Sequence, residues 1–142
     1  MGARVRIPDE DKAFIRRLLV EAKSALKVLS EKAHKEDLAE DEKYAVRYAV
    51  IQIVESLAII ASRLGDRLGR PVEGYVEAMR FLAEGGFVNA SLKEELVRLA
   101  RLRNLLVHRY WVIDDQRVIS EARRGGVERI RRVLDELQGL AG

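Results

Sequence analysis

The stretch EKYAVRYAVIQIVESLAIIASRLGDRL, residues 42–68, decides the fold. Ala45, Val46, Ala49, Val50, Ile51, Ile53, Val54, Leu57, Ala58, Ile60 and Ala61 recur at spacings that make a helix apolar around most of its circumference. Such a helix belongs at the centre of a bundle or in a subunit interface. Arg47, Gln52, Glu55 and Ser56 interrupt the run from Tyr44 to Ala61, which argues against a membrane span. Gly69-Arg70-Pro71 then stops the helix, because proline cannot continue the turn.

Working outward, spacings of three and four persist and strand signals are nearly absent, so the expected fold is all-α, an antiparallel bundle of four to six helices in a single domain over residues 1–142. A first helix should begin after Ile7-Pro8-Asp9, run to Leu29 or Glu31, and bury Phe14, Leu18, Ala22, Ala25 and Leu29. The charged segment from Glu31 to Asp41 reads as an exposed connection. A third helix, with Tyr75, Met79 and Leu82 inside, should end at Gly85-Gly86. A fourth should start at Ser91, capped with Glu94 three residues on, and reach Trp111. Its apolar seam is Leu92, Leu96, Leu99, Arg103, Leu106, Tyr110. A short helix from Asp114-Asp115 to Arg124, a break at Gly125-Gly126 and a last helix from Val127 to Leu137 complete the chain.

Composition narrows the function. With no cysteine among 142 residues, disulfide scaffolds, zinc–thiolate clusters and thiol nucleophiles are excluded, and a reducing cytoplasm is the compatible compartment. The segment Met1-Gly2-Ala3-Arg4-Val5-Arg6 lacks the apolar core of an export signal. Only two Asn and three Gln amid abundant Arg, Lys and Glu resembles heat-adapted proteins.

Charge is uneven. Residues 1–97 carry 16 basic and 17 acidic side chains, whereas 98–132 carry ten arginines, no lysine and four acids. Arginine's planar fork suits phosphates, so this region fits a nucleic-acid or nucleotide surface; a solvated helix face balanced by charges elsewhere is the alternative.

Within that region Arg103-Asn104-Leu105-Leu106-Val107-His108-Arg109-Tyr110 carries the chemistry. Arg103 sits on a leucine seam, where a permanent cation needs a carboxylate, an interface partner or a ligand anion. His108 lies five residues on, about 140° round the helix, and Asn104 almost above it. Arg103, Asn104, His108 and Tyr110 are therefore expected to line one cleft. A histidine can take the proton of a 2′-hydroxyl and an arginine can stabilise charge gathering on phosphorus, so these parts suffice to cut RNA with no cofactor and no metal. Elsewhere the signals are weaker. His34, beside Glu31, Glu36 and Asp37, reads as a solvated histidine, and both glycine pairs read as helix stops. Arg123-Arg124 and Arg129, Arg131 and Arg132 either meet phosphates or neighbour local acids.

Arg103, four residues, His108, one residue and Tyr110 form a motif that resembles the signature of the HEPN superfamily, in particular its HepT-like toxin branch. The flanks agree: Tyr75-Val76-Glu77-Ala78-Met79 with Phe81 to Phe87 precedes it, and Trp111-Val112-Ile113-Asp114 follows. Val72-Glu73-Gly74 departs from the small hydroxyl residues that relatives carry there. The resemblance implies a homodimer whose motif helices meet in one composite cleft. It further implies an endoribonuclease toxin with Arg103 and His108 catalytic and Asn104 a polar neighbour. Tyr110 would contact RNA or accept AMP from a nucleotidyltransferase antitoxin that silences the toxin. Two other readings remain open: a non-catalytic nucleotide-binding partner of such a nucleotidyltransferase, and a structural dimer whose Arg103 is neutralised by a carboxylate such as Glu55.

Overall fold

The computed structural model describes residues 6–142. The start that bears on export, residues 1–5, lies outside them. The described residues form six α-helices and no strand: α1 (Asp9–Ala33), α2 (Glu40–Arg67), α3 (Tyr75–Glu84), α4 (Lys93–His108), α5 (Asp115–Glu121) and α6 (Val127–Ala141). The all-helical expectation holds.

α2 is the axis of the bundle. It packs against α1, α3 and α4, and α6 closes the far side of α1. Val46, Ala49, Val50, Ile53, Val54, Leu57, Ile60, Ala61 and Leu64 of α2 are buried, and Ile15, Leu19, Met79, Leu82, Leu96, Ile119, Leu134 and Leu137 from the other helices complete one continuous core. Burying each large aliphatic side chain contributes about 1.5–3 kcal/mol, against at most about 1 kcal/mol for an exposed ion pair, so this core dominates stability. By length and composition α2 could cross a membrane, but half of its most apolar stretch is covered by the rest of the protein.

Several local expectations are corrected. α1 buries Ile15, Leu19, Ala22, Leu26 and Leu29, and leaves Phe14 and Leu18 half-buried at the margin. The helix is rotated because Asp11 is also buried, where it meets Arg63 and Arg67 of α2. α1 runs on to Ala33, since Arg123 donates to the carbonyls of Ala33 (2.7 Å) and Lys35 (2.8 Å) and so satisfies its C-terminal end. α2 starts two residues early because the Ala39 N–H donates to Glu42 Oε1 at 3.0 Å, one half of a capping box.

The chain leaves α2 through a close approach the sequence pattern hides. Gly65 lies inside the helix, yet a Cβ there would stand 2.5 Å from the Arg70 carbonyl and 2.9 Å from Val72 Cγ2. No side chain fits between α2 and the returning segment. α3 then begins at Tyr75, and its first turn uses Glu77, whose carboxylate accepts the Glu73 N–H at 3.1 Å.

Ser91 does not cap α4. Asn89 Oδ1 accepts the Ser91 N–H at 2.9 Å, a single 3₁₀ turn spans Ala90–Leu92, and α4 starts at Lys93. At the other end α4 stops at His108, not Trp111, because Arg109 turns to φ −141° and ψ 46°. Tyr110–Val112 form a separate 3₁₀ turn. α5 ends at Glu121, and Arg124 belongs to a wide turn, Ala122–Gly126, that passes through Gly125 at φ 117°. α6 continues past Leu137 to Ala141.

Candidate active site

α4 places leucines against the core at Leu96, Leu99 and Leu106, and Arg103 occupies the next position of that row. Its side chain is only 12% exposed, so its charge must be answered locally. Glu55 answers it. Arg103 Nη2 and Nε donate to Glu55 Oε1 at 2.8 and 3.1 Å. Nη1 donates to Asn104 Oδ1 at 3.2 Å, and the guanidinium lies 3.8 Å from the centroid of the Tyr75 ring. The Tyr75 hydroxyl closes the circuit by donating to Glu55 Oε1 (2.8 Å) and Oε2 (3.0 Å). Burial, reinforced by the Glu55 carboxylate, pushes the Tyr75 phenol above its ordinary value, with Arg103 opposing. One residue from each of α2, α3 and α4 thus fixes the arginine. A shallow groove beside them, about 280 Å³, is lined by Glu55, Ala58, Ile59, Ser62, Val72, Gly74, Tyr75 and Ala78.

His108 is the last residue of α4 and is exposed. Five residues separate it from Arg103, so it faces about 140° away and about 7.5 Å along the axis. Tyr110 does not stay on the apolar seam, because the helix ends before it. Its side chain is 59% exposed and packs edge-on against the exposed Trp111, with ring centroids 5.5 Å apart. Arg47 of α2 anchors this turn: Nε and Nη2 both donate to the Asp115 carboxylate at 2.8 Å, while Nη1 donates to the Tyr110 carbonyl at 3.3 Å. The hydrogen bonds to Asp115 hold the Arg47 guanidinium above its ordinary value.

The structure therefore joins Arg103 and Asn104 directly and leaves His108 and Tyr110 on the adjoining surface. Among the described residues no hydrogen bond links either to Arg103, so one chain does not close the expected four-residue cleft. Tyr75 and Arg47 were not anticipated in these roles. Tyr75 read as plain helix packing, and Arg47 only as an interruption of an apolar run. Glu55 carried a usable signal, being the single carboxylate between Tyr44 and Ala61.

The profile of the family described as Ribonuclease HepT-like matches residues 15–137. The chain belongs to the HepT-like family. Among curated relatives, a provisionally named RNase of Archaeoglobus fulgidus is 34% identical over 98 residues, covering 67% of this chain and 74% of its own. Solved structures share the fold at low identity. A chain from a toxin–antitoxin crystallised with AMP-PNP superposes with a TM-score of 0.77 at 14% identity, covering 88% of this chain and 97% of its own. The Bacillus subtilis cytosolic protein YutE gives 0.72 at 17% identity, covering 91% and 89%. The tri-AMPylated Shewanella oneidensis HEPN toxin in complex with MNT antitoxin gives 0.61 at 17%, covering 92% and 95%. These likenesses agree with the HEPN toxin branch to which the Arg103–His108–Tyr110 motif points.

Proposed function

We propose that this HepT-like chain is a metal-independent endoribonuclease toxin, acting in the cytoplasm as a homodimer and silenced by a nucleotidyltransferase antitoxin. The observation that carries the reading is the pairing of a desolvated, rigidly held Arg103 with an exposed His108 at the end of the same helix, within the family's motif. His108 takes the proton of a ribose 2′-hydroxyl, O2′ attacks phosphorus, and Arg103 stabilises the added negative charge. The bond to the 5′-oxygen breaks, that oxygen gains a proton, and the products end in a 2′,3′-cyclic phosphate and a 5′-hydroxyl. Asn104 orients Arg103. Tyr110, exposed on its anchored turn, contacts RNA or accepts AMP, and an added nucleotide there would set negative charge against the incoming phosphate.

The dimer supplies what one chain lacks. Tyr44, Tyr48 and Ile59 stand exposed along the side of α2 that bears Glu55, and Val107, Trp111 and Val112 are exposed at the end of α4. Exposed apolar residues grouped in this way mark an interaction surface. Burying it between two copies would bring two motif helices together and turn two half-sites into one cleft.

One observation favours another reading, a structural dimer that does not cleave: Glu55 already neutralises the Arg103 charge, as that reading expects. Cleavage of total RNA and tRNA in excess chelator separates the two. Parent protein should cut and leave cyclic phosphate ends, and His108→Ala or Arg103→Ala should lower the rate by about 10²–10⁴-fold while remaining folded. Equal cleavage by parent and variants would refute these roles.

A further inference from the structure

We propose that the groove between α3 and the outer face of α4 is a track for the phosphate backbone of single-stranded RNA, leading along α4 to His108. The proposal rests on the ribonuclease reading for its substrate and adds a binding surface outside the motif. The groove is lined by Arg80 of α3 and by Lys93, Glu94, Val97, Arg98 and Arg101 of α4, with a volume of about 480 Å³. That is within the range of about 300–1,000 Å³ typical of ligand-binding clefts.

Its charge is only partly answered by carboxylates. Five of the ten arginines in residues 98–132 are occupied elsewhere: Arg103 by Glu55, Arg117 by Glu121, Arg129 by Glu95, Arg131 by Glu128, and Arg123 by the carbonyls that end α1. In the groove Lys93 pairs with Glu84, and Arg98 approaches Glu121 only to 4.0 Å. No carboxylate lies within ion-pair distance of Arg80 or Arg101 among the described residues. Glu84 feels the surplus, since Lys93 chiefly, then Arg80 and Arg70, hold its carboxyl below its ordinary value. Arg98 and Arg101 are moreover three residues apart on one helix, a like-charge spacing that weakens the helix. Such an arrangement calls for an external polyanion.

The direction of the track follows from helix geometry. Arg101 and His108 are seven residues apart, so their side chains leave α4 within about 20° of each other and about 10 Å apart along the axis. Lys93, Arg101 and His108 thus span the full length of α4 on its solvent side, about 22 Å from end to end. A chain of phosphates lying over Arg80, Arg98 and Arg101 would run on to the histidine without crossing the apolar surface of α2. An acidic protein could meet the same charges, but only a backbone with regularly spaced anions also has a reason to continue to His108.

The test is the salt dependence of binding, read by fluorescence anisotropy of a labelled single-stranded RNA of mixed sequence titrated with the full-length His108→Ala protein, in which nothing is cut. Adding Arg80→Gln and Arg101→Gln should raise Kd by about tenfold and reduce the slope of log affinity against log salt by about 1.4, two phosphate contacts' worth for a single strand. Arg80→Lys with Arg101→Lys should restore most of that slope. If the glutamine pair fails to fold, Lys93→Gln with Arg98→Gln gives the same readout. Unchanged affinity and slope would overturn the track, as would a variant that binds RNA normally and loses only an acidic protein partner. Groove-dependent binding by a protein that never cleaves would keep the track and remove the nuclease. Cleavage indifferent to the groove would do the reverse.

Discussion

Two arginine–carboxylate clusters hang on α2, and they are built inside out relative to each other. Near its C-terminal end, Asp11 of α1 is fully buried while its partners Arg63 and Arg67 remain 38% and 44% exposed. Near its middle, Arg103 is 12% exposed while its partner Glu55 is 36% exposed. In the first cluster the buried ion is saturated: Asp11 accepts from Arg63 Nε (2.9 Å), Arg67 Nε (2.7 Å) and Arg67 Nη2 (3.3 Å). In the second, the largely buried arginine has, beside Asn104 and the Tyr75 ring, a single carboxylate oxygen as its counter-charge, on a Glu55 that is itself in reach of water. A closed cluster has nothing left to bind. An arginine whose one counter-charge is a solvated carboxylate can exchange it for a phosphate, as the role proposed for Arg103 requires.

The largest predicted effect breaks the closed cluster. Asp11→Ala leaves two arginines without their shared acceptor in a pocket shaped for it, although their partial exposure lets water replace some of the loss. A destabilisation of about 2–3 kcal/mol is expected, visible as a fall in Tm of roughly 6–12 °C. RNA cleavage per folded molecule should not change. Burial would raise the Asp11 carboxyl, but the hydrogen bonds and charges of Arg63 and Arg67 outweigh it and hold it below its ordinary value. A depressed carboxyl contributes stability above its unfolded pKa and loses it as pH falls through the folded one, so the gap between Asp11→Ala and parent should narrow in acid. A Tm unchanged by the substitution would place the two clusters in one class.

The same contrast explains how much could be read from the sequence. The apolar spacing of α2 was enough to make it the axis, because core burial is the dominant energy and its pattern is written locally. The stops at Gly69-Arg70-Pro71 and Gly85-Gly86 were legible for the same reason. The rotation of α1 was not, since Asp11 looks like an ordinary acid of a first helical turn and is buried only because Arg63 and Arg67, more than fifty residues away, meet it. The early end of α4 was hidden too. Tyr110 keeps the spacing of the seam, but the chain turns at Arg109 and Arg47 holds the new turn through Asp115, a contact between positions 68 residues apart. Arg103 and His108 were legible as a motif; that Glu55 and Tyr75 fix the arginine depends on helix packing no local pattern records.

A smaller effect lies between the two clusters in character. Glu42, at the start of α2, accepts from Lys35, from the Ala39 N–H and from Lys32 (3.0 Å), and these hold its carboxyl down at about 2. With the folded value below the ordinary one, the stability it adds is fully present above about pH 4.5 and declines as pH drops toward 2. Glu42→Gln should therefore flatten the acid limb of the stability curve and leave neutral pH less affected than Asp11→Ala does. A Glu42 carboxyl that titrates near its ordinary value by carbon-detected NMR would remove this contribution.

The smallest effect on stability, and the sharpest test of the comparison, is Glu55→Gln. The amide oxygen can still accept from Arg103, and the replacement has the same shape, so Tm should move by less than about 1 kcal/mol's worth, in the range of a partly solvated ion pair. What changes is the competition for the guanidinium. With no carboxylate opposing it, Arg103 should hold phosphate more tightly, lowering the Kd for a 2′-deoxy, uncleavable oligonucleotide several-fold. The parent's advantage would then lie in turnover, because an arginine pre-aimed by Glu55 but released only as charge builds on phosphorus favours the transition state over the ground state. If Glu55→Gln instead costs as much stability as Asp11→Ala and leaves oligonucleotide affinity untouched, Arg103 is as structural as the closed cluster, and the motif in this chain holds helices together instead of RNA.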